Sequence, residues 1–421
     1  MAAASNVTET VRAEKLVAGG DALAHLADGR VVFVQGALPG ESAVVDVHTS
    51  KRDFARGIAT SILEPSASRV DPPCPRLAEG CGGCSWQHAL PTAQLQWKTD
   101  IVTEALQRIA KLSSPNVRAG GAVEAWHYRT TMRLAVADGG SVGLRAAASH
   151  RVLAIDDCLV AHPALVELLG KLRVRGAEEI SLRISVATGE MTAFADKSGA
   201  QAIGLPQSVG VGADAALHEV VAGVRLRVSA ASFFQSGPQA AELLVAHVRE
   251  AGGDLLIEGD SMLDAYGGVG LFSATLAIPA GMTAIVVESS ESACRDAVVN
   301  LGTTASVVCA RFEDWTPQPV RLAIADPARS GLGREAVAVL AATGAERIVL
   351  VSCDAASLGR DAVLLAEVGY RHQGSTVLDL FPHTPHVEVV TSFDRAVAAN
   401  DYEGRLQPGD AEPDAWGDIP W

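Results

Sequence analysis

The amino-acid sequence predicts an α/β protein with a small N-terminal β-barrel, a central α+β region and a C-terminal open sheet covered by helices on both faces. Helical and strand patterns alternate from about residue 238 onward, which is typical of such a sheet. Short alternating apolar runs between glycine-rich turns occur over residues 7–64 and indicate the barrel. At 421 residues the chain also exceeds the usual capacity of a single hydrophobic core.

Composition and cysteine content indicate a folded protein of a reducing compartment. The chain is 48% hydrophobic and 20% charged, which lies in the globular range. It has no run of about 18 apolar residues, and its first ten residues lack the basic and apolar regions of a secretory signal. We therefore expect a cytoplasmic protein that does not contact a membrane, and the sequence gives no sign of an obligate protein partner.

The N-terminal barrel is expected within residues 1–65. Apolar runs at 31–34 and 43–47 are separated by turns such as Pro39-Gly40. A segment rich in Pro and Ser, 64–75, is typical of a linker. We assign the remaining chain to a central region (66–230), a C-terminal domain (231–400) and an acidic tail (401–421).

Periodicity gives the main elements of the two later regions. A helix is expected over 91–112, and strands are expected over 131–136 and 180–184. The C-terminal pattern predicts a helix at 238–251 and four strands, at 262–264, 284–288, 322–326 and 347–352.

A glycine-rich loop, Tyr266-Gly267-Gly268-Val269-Gly270, follows the first of these strands. Glycines let the backbone approach a ligand at the carboxyl edge of a sheet, and Glu288, at the end of the next strand, can accept ribose hydroxyls. The pattern favours a nucleotide or adenosyl cofactor, with a structural turn as the alternative. The loop lacks a full G-x-G-x-x-G, which disfavours a dinucleotide.

Three further residues follow or begin strands of the same sheet. Asp326 can hold a polar base edge, or it can cap a helix or pair with Arg329. Cys353, at a strand end near carboxylates, is a candidate nucleophile. Glu388 lies at the start of a strand-like run, with a solvated turn as the alternative.

The charge pattern is uneven. The formal net charge is −15, and residues 401–421 hold six acidic residues against one arginine. The segment 118–151 instead holds five arginines against two acidic residues. That segment could contact nucleic acid or form an ordinary solvated face.

Taken together, these motifs resemble the RNA uracil-C5 methyltransferase family of the RumA and TrmA type, up to about Arg395. The resemblance begins at Gly19–Ala24 and Phe33–Glu41, which are similar to the N-terminal TRAM domain of that family, an RNA-binding barrel with an OB-like fold. It continues in the family's order through the motifs Cys81–Cys84, Ser232–Gln235, the glycine loop, Asp326–Arg329, Ser352-Cys353 and Phe381–Glu388.

The resemblance implies a Rossmann-like class I methyltransferase domain and an RNA substrate, either ribosomal or transfer RNA. It implies that Cys353 adds to carbon 6 of uracil, so that carbon 5 can accept a methyl group from S-adenosylmethionine, and that Glu388 then removes the carbon 5 proton. The implied contacts to S-adenosylmethionine are Gln235, Tyr266, Glu288 and Asp326.

Two positions depart from the family pattern. Gly237 stands where the family commonly has Asn or His. Asp354 stands where the family commonly has Asn. An Asp next to Cys353 would raise the pKa of the thiol unless its carboxylate points away. A different class of function, an RNA-binding or folding factor that keeps the fold without turnover, is therefore the alternative hypothesis.

Four cysteines of the central region are candidate metal ligands. Cys74, Cys81 and Cys84 have the spacing C-x6-C-x2-C, and Cys158 is the nearest fourth thiol. Four thiolates can hold an iron-sulfur cluster or zinc. The resemblance favours a 4Fe-4S cluster, with zinc and unmetallated cysteines as the alternatives.

Overall fold

The computed structural model describes residues 7–396 and has three parts in the predicted order. The predicted acidic tail, 401–421, lies outside the described residues. Among residues 7–396, no helix has both the length and the apolar character needed to cross a membrane.

The first part is a six-stranded β-structure. Its strands are β1 (Val7–Arg12), β2 (Lys15–Leu16), β3 (Ala22–His25), β4 (Val31–Gln35), β5 (Ser42–Ser50) and β6 (Phe54–Glu64). They follow the order β1-β5-β6-β4-β3-β2. Alternate residues such as Val32, Val34 and Ala55 are completely buried, so their neighbours on the same strands point outward.

Two elements then precede the central region. Helix α1 (Pro91–Arg108) begins with a proline at its first turn, and strand β7 (Val117–Ala122) follows it. Both pack into the C-terminal part of the molecule: α1 contacts β23 (Tyr370–Asp379), and β7 pairs with β23 in parallel. The C-terminal sheet therefore includes chain from well before residue 231.

The central region contains a six-stranded sheet, two short strand pairs and one helix. Its elements in chain order are β8 (Thr131–Val136), β9 (Val142–Arg145), β10 (Val152–Ala154), α2 (Pro163–Leu169), β11 (Arg173–Arg175), β12 (Glu179–Ile184), β13 (Met191–Ala195), β14 (Gln201–Ile203), β15 (Val209–Val211), β16 (Ala216–Val221) and β17 (Val224–Ser229). The large sheet has the order β10-β9-β8-β12-β13-β15 and a hydrophobic cluster of its own.

The C-terminal part is an eight-stranded sheet with the order β20-β19-β18-β21-β22-β24-β23-β7. Its remaining elements are α3 (Pro238–Gly252), β18 (Ser261–Ala265), β19 (Thr283–Glu288), α4 (Glu291–Leu301), β20 (Ala305–Cys309), β21 (Leu322–Ala325), α5 (Gly333–Ala342), β22 (Arg347–Ser352), α6 (Ala355–Glu367) and β24 (Glu388–Arg395). Strands β18 to β22 are parallel, and β24 runs antiparallel between β22 and β23.

The two faces of this sheet are both covered, as predicted. On β22, Ile348 and Leu350 join a core that includes α1, α5 and α6, whereas Val349 and Val351 join a core that includes α3 and α4. This alternation follows from the two-residue period of a strand. The α/β class is therefore confirmed, and the strand ends that carry the predicted site face one edge.

Candidate active site

The sheet register places the two predicted catalytic residues side by side. Ser352, the last residue of β22, pairs with Val389 of the antiparallel strand β24. Cys353 therefore leaves β22 opposite Glu388, which begins β24. The negative charge of Glu388 is the second-largest cause of the raised pKa of Cys353, after burial.

The glycine loop and Glu288 are joined by direct hydrogen bonds. The backbone N–H of Gly268 donates to Glu288 Oε2 at 2.9 Å, and the N–H of Ser290 donates to Oε1 at 2.6 Å. Gly268 and Gly270 have φ values of +55° and +85°, which favour glycine. The hydroxyl of Ser289 also donates to Oε1, at 3.4 Å, so Oε2 is the oxygen that keeps acceptor capacity for a ribose hydroxyl.

Tyr266 begins this loop with a φ of +59°, in the left-handed region. Its hydroxyl donates to Glu313 at 2.9 Å, and its ring centroid lies 5.2 Å from that of Phe312. These contacts fix an aromatic side chain beside the loop in a backbone conformation that non-glycine residues seldom adopt.

Gln235 is buried in a segment tied to the same edge. The hydroxyl of Ser232 donates to Asp296 of α4 at 2.7 Å, and that of Ser236 donates to the carbonyl of Leu380 at 3.4 Å. The segment therefore lies between α4 and the chain that leads to β24. Gly237 is one of the two positions that depart from the family pattern. A Cβ added there would lie 2.5 Å from the Tyr128 carbonyl oxygen, so the close approach of two backbones excludes a larger residue.

Three acidic side chains lie along the strand ends, and each has a raised pKa. Burial raises the pKa of Asp264 to about 7 and that of Asp326 to about 7, with Asp264 adding to the rise at Asp326. Burial, and then the charge of Asp326, hold the pKa of Glu388 well above its ordinary value. A carboxyl group with a raised pKa can take up a proton near neutral pH, which suits Glu388 to the role of a base.

The Cys353 thiol is half-buried, and burial raises its pKa to about 11. The positive charge of Arg329 lowers this pKa. The charge of Asp354 raises it, but by less than burial or Glu388 does. Asp354 is the N-cap of α6, and its Oδ1 accepts a hydrogen bond from the N–H of Ser357 at 2.8 Å. Asp354, the second position that departs from the family pattern, therefore has a local structural role as the residue that caps the start of α6.

The segment between β23 and β24 is held by buried side chains. The N–H of His383, which has a φ of +67°, donates to Gln94 Oε1 at 2.6 Å, and its ring stacks on Trp126 at 4.0 Å. Arg329 donates to Nδ1 of His386 at 3.2 Å. Burial lowers the pKa of each histidine to about 4, so both rings are neutral near pH 7.

The N-terminal part contributes to the site. Ala18 and Gly19 line a small pocket together with Arg329, Cys353 and His386. The indole Nε1 of Trp86 donates to the carbonyl of Gly20 at 3.0 Å. The sequence did not indicate this contact, because it depends on how separate regions pack.

The four candidate metal ligands are all half-buried free thiols. Burial raises the pKa of Cys84 to about 11, with Cys158 and Cys81 among the smaller causes. Burial also raises the pKa of Cys81, to which Cys74 contributes. Within residues 7–396, however, no three His, Cys, Asp or Glu side chains are arranged to hold a metal ion, so the predicted 4Fe-4S cluster gains no support from this geometry.

The arginine-rich segment 118–151 is divided among separate contacts. Arg118 pairs with Glu250 at 2.6 Å, and Arg133 and Arg145 both pair with Glu179. Arg129 lies 5.7 Å from the centre of the Phe381 ring. These side chains therefore have several environments, and Arg133 and Arg145 share a surface because they pair with the same carboxylate.

Two features of the site were missed in the sequence. Phe233, next to the predicted cofactor segment, is 72% exposed, which is unusual for so large an apolar side chain. Asp264 was read only as the end of a strand, yet its Oδ2 accepts two hydrogen bonds from Ser273 while its Oδ1 has no partner. The signal for Asp264 was an acidic residue inside an otherwise apolar strand.

Comparisons with known proteins find relatives of the N-terminal part and of nearly the whole chain. A family model of the TRAM domain matches residues 7–60. An RNA methyltransferase of Streptomyces coelicolor is 35% identical over 90% of this chain and 91% of its own. The 23S rRNA (uracil(1939)-C(5))-methyltransferase RlmD of Alkalilimnicola ehrlichii is 32% identical over 89% of this chain and 94% of its own.

A solved structure aligns with nearly the same part of this chain as these relatives do. The tRNA (uracil-54, C5)-methyltransferase of Pyrococcus abyssi, in complex with S-adenosyl-L-homocysteine, aligns with a TM-score of 0.68 at 25% identity. The alignment covers 92% of this chain and 100% of that one. Sequence and fold thus agree over almost the whole chain, and the chain belongs to the RNA uracil-C5 methyltransferase family.

Proposed function

We propose that this chain methylates carbon 5 of a uridine in ribosomal or transfer RNA, with Cys353 as nucleophile and Glu388 as base. The observation that carries the proposal is the strand register that sets Cys353 opposite Glu388 at the edge where the glycine loop also begins. A nucleophile, a base and a nucleoside-binding loop at one strand edge are the parts that this reaction needs.

The residues at this edge fit S-adenosylmethionine. Glu288 would hold the ribose hydroxyls, Tyr266 offers an aromatic face beside the glycine loop, and Gln235 and Asp326 would complete the polar contacts. The unpartnered Oδ1 of buried Asp264 is a further acceptor near the loop. When bound, the cofactor supplies the methyl group.

The protein side of the reaction follows from the two catalytic groups. The Cys353 thiolate forms a bond to carbon 6 of uracil, and the ring electrons make carbon 5 nucleophilic. After methylation, Glu388 takes the proton from carbon 5, the ring double bond re-forms and the thiolate leaves. The positive charge of Arg329 favours the thiolate that begins and ends this sequence.

Mass spectrometry of nucleosides tests the proposal. Unmodified ribosomal and transfer RNA transcripts would be incubated with S-adenosylmethionine and either wild-type protein, Cys353→Ala or Cys309→Ala, which removes an exposed thiol instead. We expect 5-methyluridine from the wild type and from Cys309→Ala but none from Cys353→Ala. Product from Cys353→Ala at the wild-type rate would refute Cys353 as nucleophile.

We also infer a 4Fe-4S cluster on Cys74, Cys81, Cys84 and Cys158, with zinc as the alternative. The support is the family resemblance, which places these four cysteines in the motif, and not the geometry of residues 7–396. Iron, zinc and acid-labile sulfide analysis of anaerobically purified protein tests this inference. Iron with sulfide, lost in Cys158→Ser, is expected; an absence of both metals would overturn it.

A further inference from the structure

Two buried side chains of opposite charge contact the same tight turn, residues 229–232. In this turn the N–H of Ser232 donates to the carbonyl of Ser229 at 3.0 Å. Arg183 reaches it from β12 of the central region, and Asp296 reaches it from α4 of the C-terminal part. The two residues are 6% and 0% exposed, so their hydrogen-bond partners must come from the protein. We name Arg183 and Asp296 the charge clamp.

Asp296 accepts hydrogen bonds from the donors of this turn. Its Oδ2 accepts from the N–H of Ser229 at 2.7 Å and from the hydroxyl of Ser232 at 2.7 Å. Its Oδ1 accepts from the hydroxyl of Ser229 at 2.8 Å, and Arg227 of β17 pairs with the same carboxylate. The turn is therefore fixed to α4 through a carboxylate whose burial is compensated by these donors.

Arg183 donates hydrogen bonds to the acceptors of the same turn. Its Nη1 donates to the carbonyl of Ser229 at 3.2 Å, and its Nη2 donates to the carbonyl of Ser232 at 2.9 Å. Its Nε donates to Thr131 Oγ1 at 3.1 Å, which orients the guanidinium on the central sheet. Burial lowers the pKa of Arg183 to about 10, so the side chain stays charged near pH 7. Two regions of the chain thus fix one turn from two sides.

The charge clamp lies next to two of the residues proposed to bind the cofactor. Gln235 is buried and follows the turn by three residues. Glu288 is fixed to the start of α4, because the N–H of Ser290 donates to its Oε1 at 2.6 Å. The thiol of Cys294 on α4 also donates to the carbonyl of Glu288, at 3.3 Å. Because α4 also carries Asp296, the position of Gln235 relative to Glu288 depends on the clamp.

We propose that the charge clamp positions Gln235 for cofactor binding, by holding the 229–232 turn against α4. The inference rests on the proposed function. Removing one side of the clamp would leave buried N–H, hydroxyl or carbonyl groups without partners, which favours a shifted turn. The clamp also gives the central region a part in cofactor binding, since Arg183 belongs to β12.

Binding of S-adenosylhomocysteine, measured by isothermal titration calorimetry, tests the clamp in the full-length protein. Asp296→Asn keeps the side-chain shape but replaces an acceptor oxygen by an amide donor. We expect Kd to rise about tenfold, which corresponds to about 1.4 kcal/mol. Ser232→Ala removes a single hydroxyl and should raise Kd by a smaller factor, so it serves as the second variant if Asp296→Asn does not fold.

Asp394→Asn is the matched control for this experiment. It weakens the ion pair between Arg347 and Asp394, whose shortest N–O distance is 2.6 Å, near the other end of β22 and β24. This variant therefore also loses a paired carboxylate, but it does so far along the strands from the cofactor residues. It should bind S-adenosylhomocysteine as the wild type does.

Two further readouts separate positioning from a general loss of stability. In Asp296→Asn, KM for S-adenosylmethionine should rise while kcat stays within about twofold of the wild type, because the lost interaction acts on binding. The effect should also require Gln235. In a Gln235→Ala background, Asp296→Asn should change Kd by less than about twofold, because residues that act through one another are not additive.

Three results would overturn the clamp. The first is an unchanged Kd in every clamp variant that folds. The second is the same fold-change in Kd with and without Gln235. The third is a fall in kcat with KM for S-adenosylmethionine unchanged, which would place the effect on the chemical step.

The same preparations distinguish this inference from the proposed function. If the wild type makes 5-methyluridine but Asp296→Asn binds S-adenosylhomocysteine equally well, the clamp is wrong and the function stands. If binding depends on the clamp and on Gln235 as described but the wild type makes no 5-methyluridine, the function is wrong and the clamp stands. If the wild type does not bind S-adenosylhomocysteine at all, both are overturned.

Discussion

Lys98 and Asp379 form an ion pair that is completely shielded from solvent. Lys98 Nζ donates to Asp379 Oδ1 at 2.6 Å and to the carbonyl of Phe381 at 3.1 Å, and the two side chains are 0% and 1% exposed. Gln94, one turn earlier on α1, holds the N–H of His383. One face of α1 thus fixes the segment that leads to Glu388.

Replacing Lys98 by Met should therefore affect both stability and catalysis. Asp379 would remain buried without its partner, which typically costs about 3–5 kcal/mol, and the segment before Glu388 would lose an anchor. Urea unfolding and kcat measure the two effects. Arg334→Met is the control, because it breaks the exposed Arg334–Glu367 pair and should cost less than about 1 kcal/mol. Equal losses in the two variants would contradict this account.

The reactivity of Cys353 should rise steeply with pH. Its pKa is raised to about 11, so below that pH the thiolate fraction, and the rate of alkylation by iodoacetamide without RNA, should grow about tenfold per pH unit. Arg329→Gln removes a charge that lowers this pKa and should slow alkylation at every pH below 11. Peptide mass spectrometry measures both. Alkylation that is flat between pH 7 and pH 9 would show that the thiol is already ionised.

The buried Asp264 should make the protein less stable as pH rises. Its pKa increases from 3.8 in the unfolded chain to about 7 in the folded one, so the folded state binds more protons between these values. Its contribution is thus fully present below pH 3.8 and is lost as pH rises through about 7. Asp326 and Glu388 act in the same direction.

Asp264→Asn should therefore flatten the decline in melting temperature between pH 5 and pH 8. Part of the decline should remain, since Asp326 and Glu388 still titrate. Thermal unfolding followed by circular dichroism at several pH values measures the slope. A slope as steep as that of the wild type would mean that Asp264 titrates at its ordinary pKa in the folded protein.

Contact between the barrel and the catalytic segment should depend on Gly20. This glycine has a φ of +96°, and a Cβ added to it would lie 2.9 Å from Cβ of Pro385. Gly29→Ala is a matched control, because Gly29 has a φ of +87° but open space around it. Both variants should lose about 1–3 kcal/mol from backbone strain, whereas only Gly20→Ala should lose methyl transfer. Equal activity in the two variants would refute a catalytic role for this contact.

Local patterns were enough to predict the parts of the site that follow single strands. Strand β22 spans Arg347–Ser352 as predicted, because an apolar run between polar ends marks a buried parallel strand. Glu388 begins β24, as expected from the run after it. These two boundaries, with the order of the motifs, bring the catalytic pair together once the strands are adjacent.

Long-range packing explains what the sequence did not reveal. Strand β7 contains Gly120 and Gly121 and has no apolar alternation, yet it pairs with β23. A side chain at position 120 would clash with Thr376, so the glycine permits this close approach. The burial of Lys98 was not predicted, because a buried lysine is recognisable only when its distant partner is known. The Gly19–Gly20 turn likewise reaches the pocket only through tertiary contacts.

The most direct test of the central claim is a search for a covalent protein–RNA adduct in Glu388→Gln. Without the base, the carbon 5 proton stays and the bond from Cys353 to carbon 6 cannot break, so we expect a species on denaturing gels that carries both protein and RNA and requires S-adenosylmethionine. The double variant Cys353→Ala/Glu388→Gln should give no such species. An adduct that persists without Cys353, or full turnover by Glu388→Gln, would contradict the assignment of nucleophile and base.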